Sequence, residues 1–380
     1  MSVGGNDFPA RLRRIDELVA AEVVTQAAEW DARSRFPAET VAHLAELGLC
    51  GMAVSREYGG LELPLVEQVQ VIETLAAGDG GLALTIASHN GLACAHVQRF
   101  GSEEQRRTWL PAMAAGQCLG AWALAETQAG SDAGSLRTRA ERRSGGWQLD
   151  GHKMFVTQGS VGGVTIVVAR DAEIEGRRPL SAFLVPAGAP GATVGPSLDK
   201  VGCRSSDTTT LTLESVLLPD EALLGVRGRA FAAALQLLDG GRVGMAALAC
   251  GIARAALDAS IAWVRKRQQF GTALSDQQAV QFTLADSRCE LDAARRLTRR
   301  AAELLDQGKR ATAEAAMAKL YASETAVRIA DRAMQLHGGY GYLKKLPVER
   351  YLRDARLCTI GEGTSEIQRL IVAREVLRQP

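Results

Sequence analysis

The apolar positions of this chain change period twice. From about residue 10 to 115 they recur at helical spacing. Glu39 to Leu49 reads as a helix ending at Gly51, and Leu65 to Ala77 as another, closed by Gly78-Asp79-Gly80-Gly81. Gly101-Ser102-Glu103-Glu104-Gln105 offers an N-cap to a further helix, which Pro111 is expected to interrupt or restart. The pattern then becomes that of strands. Trp147-Gln148-Leu149 leads into Asp150-Gly151, a hairpin-turn dipeptide, and on to Met154-Phe155-Val156-Thr157. Val164 to Ala169, Ser181 to Val185 and Thr208 to Val216 are β-branched and bounded by turn residues, with Pro186, Pro190 and Pro196 in the connections. From about 226 the helical period returns. Val280, Leu284, Leu291, Ala294, Ala301 and Leu304 lie along one helix that Gly308 ends, and Ala311 to Leu336 forms another that stops at Gly338-Gly339. These helices are long and Ala-rich, which suits close antiparallel packing as a bundle.

The order predicts an α+β fold, mainly α, in three parts: helices over 1–115, a β-domain over 116–225 and a helical bundle over 226–380. It rules out a simple doubly wound sheet. Gly338-Gly339-Tyr340-Gly341 lacks both the spacing and the preceding strand of a nicotinamide-binding fingerprint.

Composition narrows the partners. The 380 residues are 47% apolar, enough for several layers rather than one small core. With 44 basic against 43 acidic residues, nothing points to nucleic acid or an anionic membrane surface. Arg295, Arg296, Arg299 and Arg300 read as a solvated helix face. Met1 to Pro9 is polar and Gly-rich, unlike a signal peptide, and no stretch reads as long and apolar enough to span a bilayer. The seven cysteines form no C-x-x-C pair and the five histidines no H-E-x-x-H, so no metal site and a reducing, cytoplasmic setting are expected.

The candidate chemistry lies near the C-terminus, in Thr359-Ile360-Gly361-Glu362-Gly363-Thr364-Ser365-Glu366-Ile367-Gln368-Arg369. Glu362 sits between two glycines, which permit unusual backbone angles and close approach to a ligand. That suits a general base; the alternative is a solvated loop glutamate. Ser365 and Gln368 have the spacing of a capping box, and Ile367, Leu370, Ile371 and Leu377 fall on one helical face.

Other segments join it: Trp122-Ala123-Leu124-Ala125-Glu126-Thr127-Gln128-Ala129-Gly130-Ser131-Asp132; Lys200-Val201-Gly202-Cys203-Arg204 ahead of Leu223-Leu224-Gly225; Arg267-Gln268-Gln269-Phe270-Gly271 with Gln278; and Gln335-Leu336-His337-Gly338-Gly339-Tyr340-Gly341-Tyr342, then Pro347-Val348-Glu349-Arg350 and Arg353-Asp354. In this order, from about residue 12 to 378, the chain resembles the acyl-CoA dehydrogenase family. The resemblance implies an N-terminal helical domain, a middle β-domain and a C-terminal four-helix bundle, with FAD between the last two. It implies dehydrogenation of an acyl thioester between Cα and Cβ, with electrons passed to an electron-transferring flavoprotein. It also implies a homo-oligomer, at least a dimer and commonly a tetramer.

By that resemblance Glu362 is the base, and its backbone N–H, with a ribityl hydroxyl of the flavin, binds the thioester oxygen. Thr157 is expected to hydrogen-bond flavin N5, and Phe155 to pack near the ring. Trp122, Leu124, Ala125, Gly130 and Ser131 belong to the loop at the isoalloxazine and substrate; Ser131 either donates a hydrogen bond there or stabilises a turn. Arg267, Phe270 and Gln278 belong to the segment reaching the FAD of a neighbouring subunit, and an arginine fork matches a pyrophosphate. Gln335, Gly338 and Gly339 match contacts to the adenosine half, and Thr364 and Glu366 match cofactor contacts after the base. Arg242 either orients the base's surroundings or is a plain ion-pair partner. Some relatives carry the base just before this arginine; here that position is Gly241, preceded by Gly240.

The chemistry accounts for the residue types. A thioester α-proton is far less acidic than a glutamic acid of ordinary pKa, about 4.3. Desolvation of the carboxylate, donors to the enolate oxygen and a hydride acceptor on the opposite face narrow the gap. Three positions depart from the family pattern: Ala125 replaces a threonine, Thr127 a proline, and Gly361 a tyrosine common before the base. The missing ring at Gly361 is expected to admit a branched, substituted or bulky acyl group. The carrier is either coenzyme A or the phosphopantetheine arm of an acyl carrier protein. A flavin monooxygenase on the same scaffold would not need Glu362, and a scaffold protein without cofactor would not need Arg267, Thr157 and Glu362 together.

Overall fold

The computed structural model describes residues 7–174 and 179–378, so the Met1–Asn6 part of the polar N-terminus lies outside them. Seven helices open the chain: α1 (Phe8–Leu18), α2 (Val24–Arg33), α3 (Ala38–Glu46), α4 (Leu65–Gly78), α5 (Gly80–Ser88), α6 (Ala95–Phe100) and α7 (Glu103–Ala114). Helix α3 stops before Gly48, whose φ of +81° turns the chain earlier than the expected Gly51. Pro111 neither interrupts nor restarts α7. The Ser102–Gln105 capping box makes both of its bonds, and Leu110, Met113 and Ala114 are buried; together these outweigh the backbone bond that the proline removes.

The middle of the chain is a mixed sheet of β1 (Gly120–Ala123), β2 (Arg139–Arg143), β3 (Gly146–Thr157), β4 (Val164–Asp171), β5 (Leu180–Pro186), β6 (Ala192–Val194), β7 (Thr208–Pro219) and β8 (Leu223–Leu224). Its order is β6-β7-β3-β2-β4-β5-β8, with β1 parallel to β4. The β2–β3 hairpin turns at residues 144 and 145, because Arg143 pairs with Gly146. Asp150-Gly151, expected to be the turn, lies inside β3. Gly151 takes φ +157° at a register shift, and a Cβ there would run into Thr138. The glycine therefore serves a bulge and a close approach. A second shift, between Lys153 and Val156, contains Phe155 at φ +56°. The apolar run in β4 follows from burial on both faces: Val164, Ile166 and Val168 pack towards α6 and α7, while Val167 and Ala169 pack with Trp147 and Phe183.

The C-terminal part holds α8 (Ala230–Lys266), a small hairpin of β9 (Gln268–Gln269) and β10 (Thr272–Ala273), α9 (Gln278–Asp306), α10 (Thr312–His337), α11 (Val348–Cys358) and α12 (Ser365–Val376). One core joins the N-terminal helices to this bundle, with Ile72, Leu75, Leu82 and Ile86 against Val243, Leu248, Ile252 and Ala256. Contrary to the sequence expectation, α8 is long and apolar enough to cross a bilayer, but most of that stretch is buried inside the protein. Its hydrophobicity is that of the central helix, packed by α4, α9, α10 and α11. Arg295 also differs from the expectation. It donates to Glu73 of α4 from Nε at 3.0 Å and from Nη2 at 2.5 Å, while Arg296, Arg299 and Arg300 are exposed.

Candidate active site

The turn between α11 and α12 carries Glu362. Thr364, not Ser365, caps α12: its hydroxyl accepts the Ile367 N–H at 3.4 Å. Ser365 is already the first helical residue. Gln368 turns back instead of capping, and its amide donates to the carbonyls of Gly363 (2.8 Å) and Glu362 (3.2 Å). Lys319, on α10, donates from Nζ to the same Gly363 carbonyl at 2.7 Å. Glu362 itself has φ +54°, a left-handed conformation uncommon for a non-glycine residue.

The carboxyl lies against Gly241 of α8, where any Cβ would collide with Glu362 Oε2. Oε2 is buried and has no hydrogen-bond partner among the described residues. Burial pushes this carboxyl up to about 7, against the pull of Arg242 and Lys319. Arg242 is buried and donates from Nη1 to Asp239 Oδ1 at 2.6 Å, and the Thr312 hydroxyl holds Oδ2 of the same aspartate at 2.8 Å. Arg242 is thus an ion-pair partner of Asp239 within α8, and its charge acts on Glu362. The solvated-loop alternative for Glu362 is excluded by the buried Oε2.

A second group of residues meets where β1 ends. Met154 donates its N–H to the Ala125 carbonyl at 2.9 Å, tying the Leu124–Ala125 segment to the bulge that bears Phe155, two residues before Thr157. Lys153 reinforces the tie, reaching Leu124 O at 3.1 Å and Glu126 Oε1 at 2.7 Å. Glu126 also accepts the backbone N–H groups of Arg137 (2.7 Å) and Thr138 (3.0 Å). Burial raises the Glu126 carboxyl, but Lys153 and these donors carry it down to about 2. Burial lowers Lys153 to about 8 against the pull of Glu126, so the pair is ionised at neutral pH. The indole of Trp122 donates to His96 Nδ1 at 3.1 Å. Gly130 and Ser131 are exposed on the loop beyond, with open space beside Gly130. Phe155 is 64% exposed, a large aromatic ring held out by a left-handed bulge.

A third group lines a cavity of about 510 Å³ at the end of α10: Arg267, Gln335, Gly338 and Gly339, with Trp263, His337 and Tyr340. Trp263 stacks on His337 at 4.8 Å, and the Arg267 guanidinium sits 5.6 Å from the centre of the Tyr340 ring. Phe270, 98% exposed at the tip of the β9–β10 hairpin, and Gln278, exposed at the start of α9, are not among its lining residues. Glu366 is likewise exposed.

Three family models match the chain: the acyl-CoA dehydrogenase N-terminal domain at residues 10–117, the middle domain at 121–216 and the C-terminal domain at 228–377. The chain belongs to the acyl-CoA dehydrogenase family. It is 42% identical over 357 residues to the mitochondrial short-chain specific acyl-CoA dehydrogenase of Bos taurus, covering 94% of this chain and 87% of the relative. The butyryl-CoA dehydrogenase of Megasphaera elsdenii superposes with a TM-score of 0.96 at 34% identity, over 100% of both chains. The prolyl acyl carrier protein oxidase AnaB superposes with a TM-score of 0.93 at 29% identity, covering 98% of this chain and 100% of that one.

As a member of the family the protein is an FAD-dependent oxidoreductase. The donor set fits that cofactor. An exposed Phe155 and a half-buried Thr157 lie on the strand end that Met154 ties to Ala125, offering a flat ring an apolar shelf and a hydroxyl. The cavity at Arg267 offers a guanidinium and stacked rings, which suit a nucleotide.

The sequence reading missed Lys319, Gln368 and Lys153 as parts of these sites. The available signal for Lys319 is a lysine on a face of small residues, among buried Ala315, Ala316, Ala322 and Ser323.

Proposed function

We propose that the protein dehydrogenates a short or branched acyl thioester between Cα and Cβ, with Glu362 taking the Cα proton. The observation carrying this reading is the Glu362 carboxyl: Oε2 is buried and without a partner among the described residues, and burial raises the group to about 7. A base of that pKa is well matched to proton abstraction near neutral pH. Gly241 leaves it room, and Arg242 and Lys319 supply positive charge beside it. The Glu362 backbone N–H is the donor for the thioester oxygen, a contact that strengthens as negative charge develops there. Bound FAD supplies the hydride acceptor. Trp122, Leu124, Ala125, Gly130, Ser131, Phe155, Thr157, Thr364 and Glu366 would hold it from this subunit. Arg267, Phe270, Gln278, Gln335, Gly338 and Gly339 would hold the FAD of a neighbouring subunit, which makes the working unit a homo-oligomer, a tetramer in this reading. An electron-transferring flavoprotein is the acceptor.

Gly361 favours a branched or bulky acyl group. A Cβ there would already lie 3.3 Å from Met245 Cε and 3.8 Å from Leu357 Cδ1, so a tyrosine ring would compete with the acyl chain for that space. Gly361→Tyr is expected to narrow the range to short straight chains; a wild type already restricted to these, and unchanged by the substitution, would overturn the assignment. The similarity to a prolyl carrier-protein oxidase supports a second reading of the carrier, a phosphopantetheine thioester on a protein.

The test is anaerobic titration of the yellow holoenzyme with a panel of acyl-CoAs and acyl-carrier thioesters. Bleaching of the oxidised flavin by one member is expected, and its carrier distinguishes the two readings. Glu362→Gln should keep FAD bound and slow flavin reduction by about a hundredfold or more. Reduction at the wild-type rate in that variant would remove Glu362 as the base.

A further inference from the structure

Lys319 sits inside α10 with no exposed surface. A buried ammonium is costly unless it is paired or hydrogen-bonded; its neighbours on that face are Ala315, Ala316, Ala322 and Ser323, whose hydroxyl already donates to the Lys319 carbonyl. What it reaches is the turn bearing the base: Nζ to Gly363 O at 2.7 Å. Gln368 donates to the same oxygen at 2.8 Å and to Glu362 O at 3.2 Å. Three hydrogen bonds thus hold the two consecutive carbonyls that follow the Glu362 side chain. The backbone there has φ +54° at Glu362 and +95° at Gly363. A non-glycine residue in the left-handed region is disfavoured, because its Cβ crowds the following carbonyl oxygen. Something must hold the turn in place, and this is the turn that brings the carboxyl against Gly241.

We infer that Lys319 is a positioning residue for the reaction: its ammonium fixes the base-bearing turn through the Gly363 carbonyl and keeps the Glu362 carboxyl ionisable inside the protein. The inference rests on Glu362 being the base.

The charges around the pair come from every packed element. From α8, Arg242 faces Glu362 with its charge shared by Asp239. From α11, Cys358 faces Lys319, and burial pushes its thiol up to about 12, so it stays neutral. From α12, Glu366 acts on Lys319 from an exposed position. Of the two cations that act on Glu362, Lys319 is the one bonded to the turn itself. Burial lowers Lys319 to about 8, so it is still charged where the Glu362 carboxyl titrates, at about 7.

The experiment follows anaerobic flavin reduction by butyryl-CoA against pH in the holoenzyme and its variants. Lys319→Met should move the midpoint of the pH profile about one pH unit towards alkali. Reduction below the wild-type midpoint should then fall about tenfold and recover at high pH. Lys319→Gln, which keeps a donor but no charge, should show the same displacement and serves if the methionine variant does not fold. Gln368→Leu, which removes a donor and keeps the charge, should lower the plateau and leave the midpoint in place. A midpoint unmoved by loss of the lysine charge overturns the inference. A second readout needs no turnover. E362Q should raise the melting temperature at alkaline pH more in the Lys319→Met background than in the wild type, and equal increments overturn the coupling. Wild-type reduction in E362Q alone would remove the base assignment, while the melting increments would still report whether Lys319 stabilises the carboxylate.

Discussion

Gly241 decides where the Glu362 carboxyl can lie. A single methyl at that position occupies the space of Oε2, and the facing helix α8 cannot yield without disturbing the central core. Gly241→Ala should therefore drive the carboxyl out of its site, cutting flavin reduction by about a hundredfold while FAD stays bound. Retained reduction with the alanine in place would show that the carboxyl acts from another position. Burial of this carboxyl also has a cost in stability. Its pKa is raised from 4.5 to about 7, so the folded state holds the proton more tightly than the unfolded chain. Stability is then full below pH 4.5 and falls as pH rises towards 7, by about 3 kcal/mol in total at about 1.4 kcal/mol per pKa unit. E362Q removes this loss: its melting temperature should match the wild type near pH 4.5 and exceed it above pH 7. Equal curves across that range would contradict the burial argument. Two glycines made Glu362 conspicuous in the sequence, but alone they left a solvated loop glutamate open; its reading as the base came with the resemblance. Its counterpart Gly241 was legible only as a position without a carboxylate, since its steric role arises when α8 and the α11–α12 turn meet.

At the scale of elements, β3 shows what sequence patterns hide. Asp150-Gly151 has the composition of a hairpin turn, yet the strand runs through it because Thr138 crowds that glycine and β7 pairs on both sides. Thr364 took the cap assigned to Ser365, one residue along, and freed Gln368 to bond the base turn. Periodicity finds a helix but not which neighbouring hydroxyl reaches an N–H. The same strand carries Lys153, which locks the loop of Trp122, Leu124 and Ala125 to the bulge through Glu126. Both side chains are buried, so removing the cation strands a carboxylate. Lys153→Met should destabilise the protein by about 3–5 kcal/mol, and adding Glu126→Gln should recover part of that loss. Thermal or urea unfolding of the wild type, the single and the double variant checks this. A double variant less stable than Lys153→Met alone would show that the ion pair is not what ties the loop to the strand.

Across the whole molecule, the order of helices, strands and helices was readable because the apolar period changes twice. The polar contacts that join the three parts, beside the apolar core shared by the helices, were not readable, because they unite residues distant in sequence. They converge on a buried knot. Asp79 caps α5 by accepting the Leu82 N–H at 2.8 Å and also accepts the Ser205 hydroxyl. Asp354, from α11, accepts the Cys203 N–H at 2.6 Å. Arg350 approaches Gly78 O at 3.5 Å. Helices α5 and α11 and the segment between β6 and β7 thus meet through two carboxyls and one guanidinium, all buried. Burial raises both aspartates above the ordinary value of 3.8; Asp79 raises Asp354 further, and Arg350 pulls both down. Folding therefore favours a proton in this knot. The sign follows: the folded state binds more protons than the unfolded chain above pH 3.8, so stability declines as pH rises from there. Asp354→Asn keeps an oxygen for the Cys203 N–H and removes one of the two charges. Its melting temperature should fall less than that of the wild type between about pH 4 and pH 8. Parallel curves would mean that the knot holds its charges without loss and that the decline belongs elsewhere. A shallower curve would place part of the protein's pH sensitivity at the junction of its three parts, remote in sequence from Glu362, so E362Q and Asp354→Asn together should flatten the profile by the sum of their separate effects.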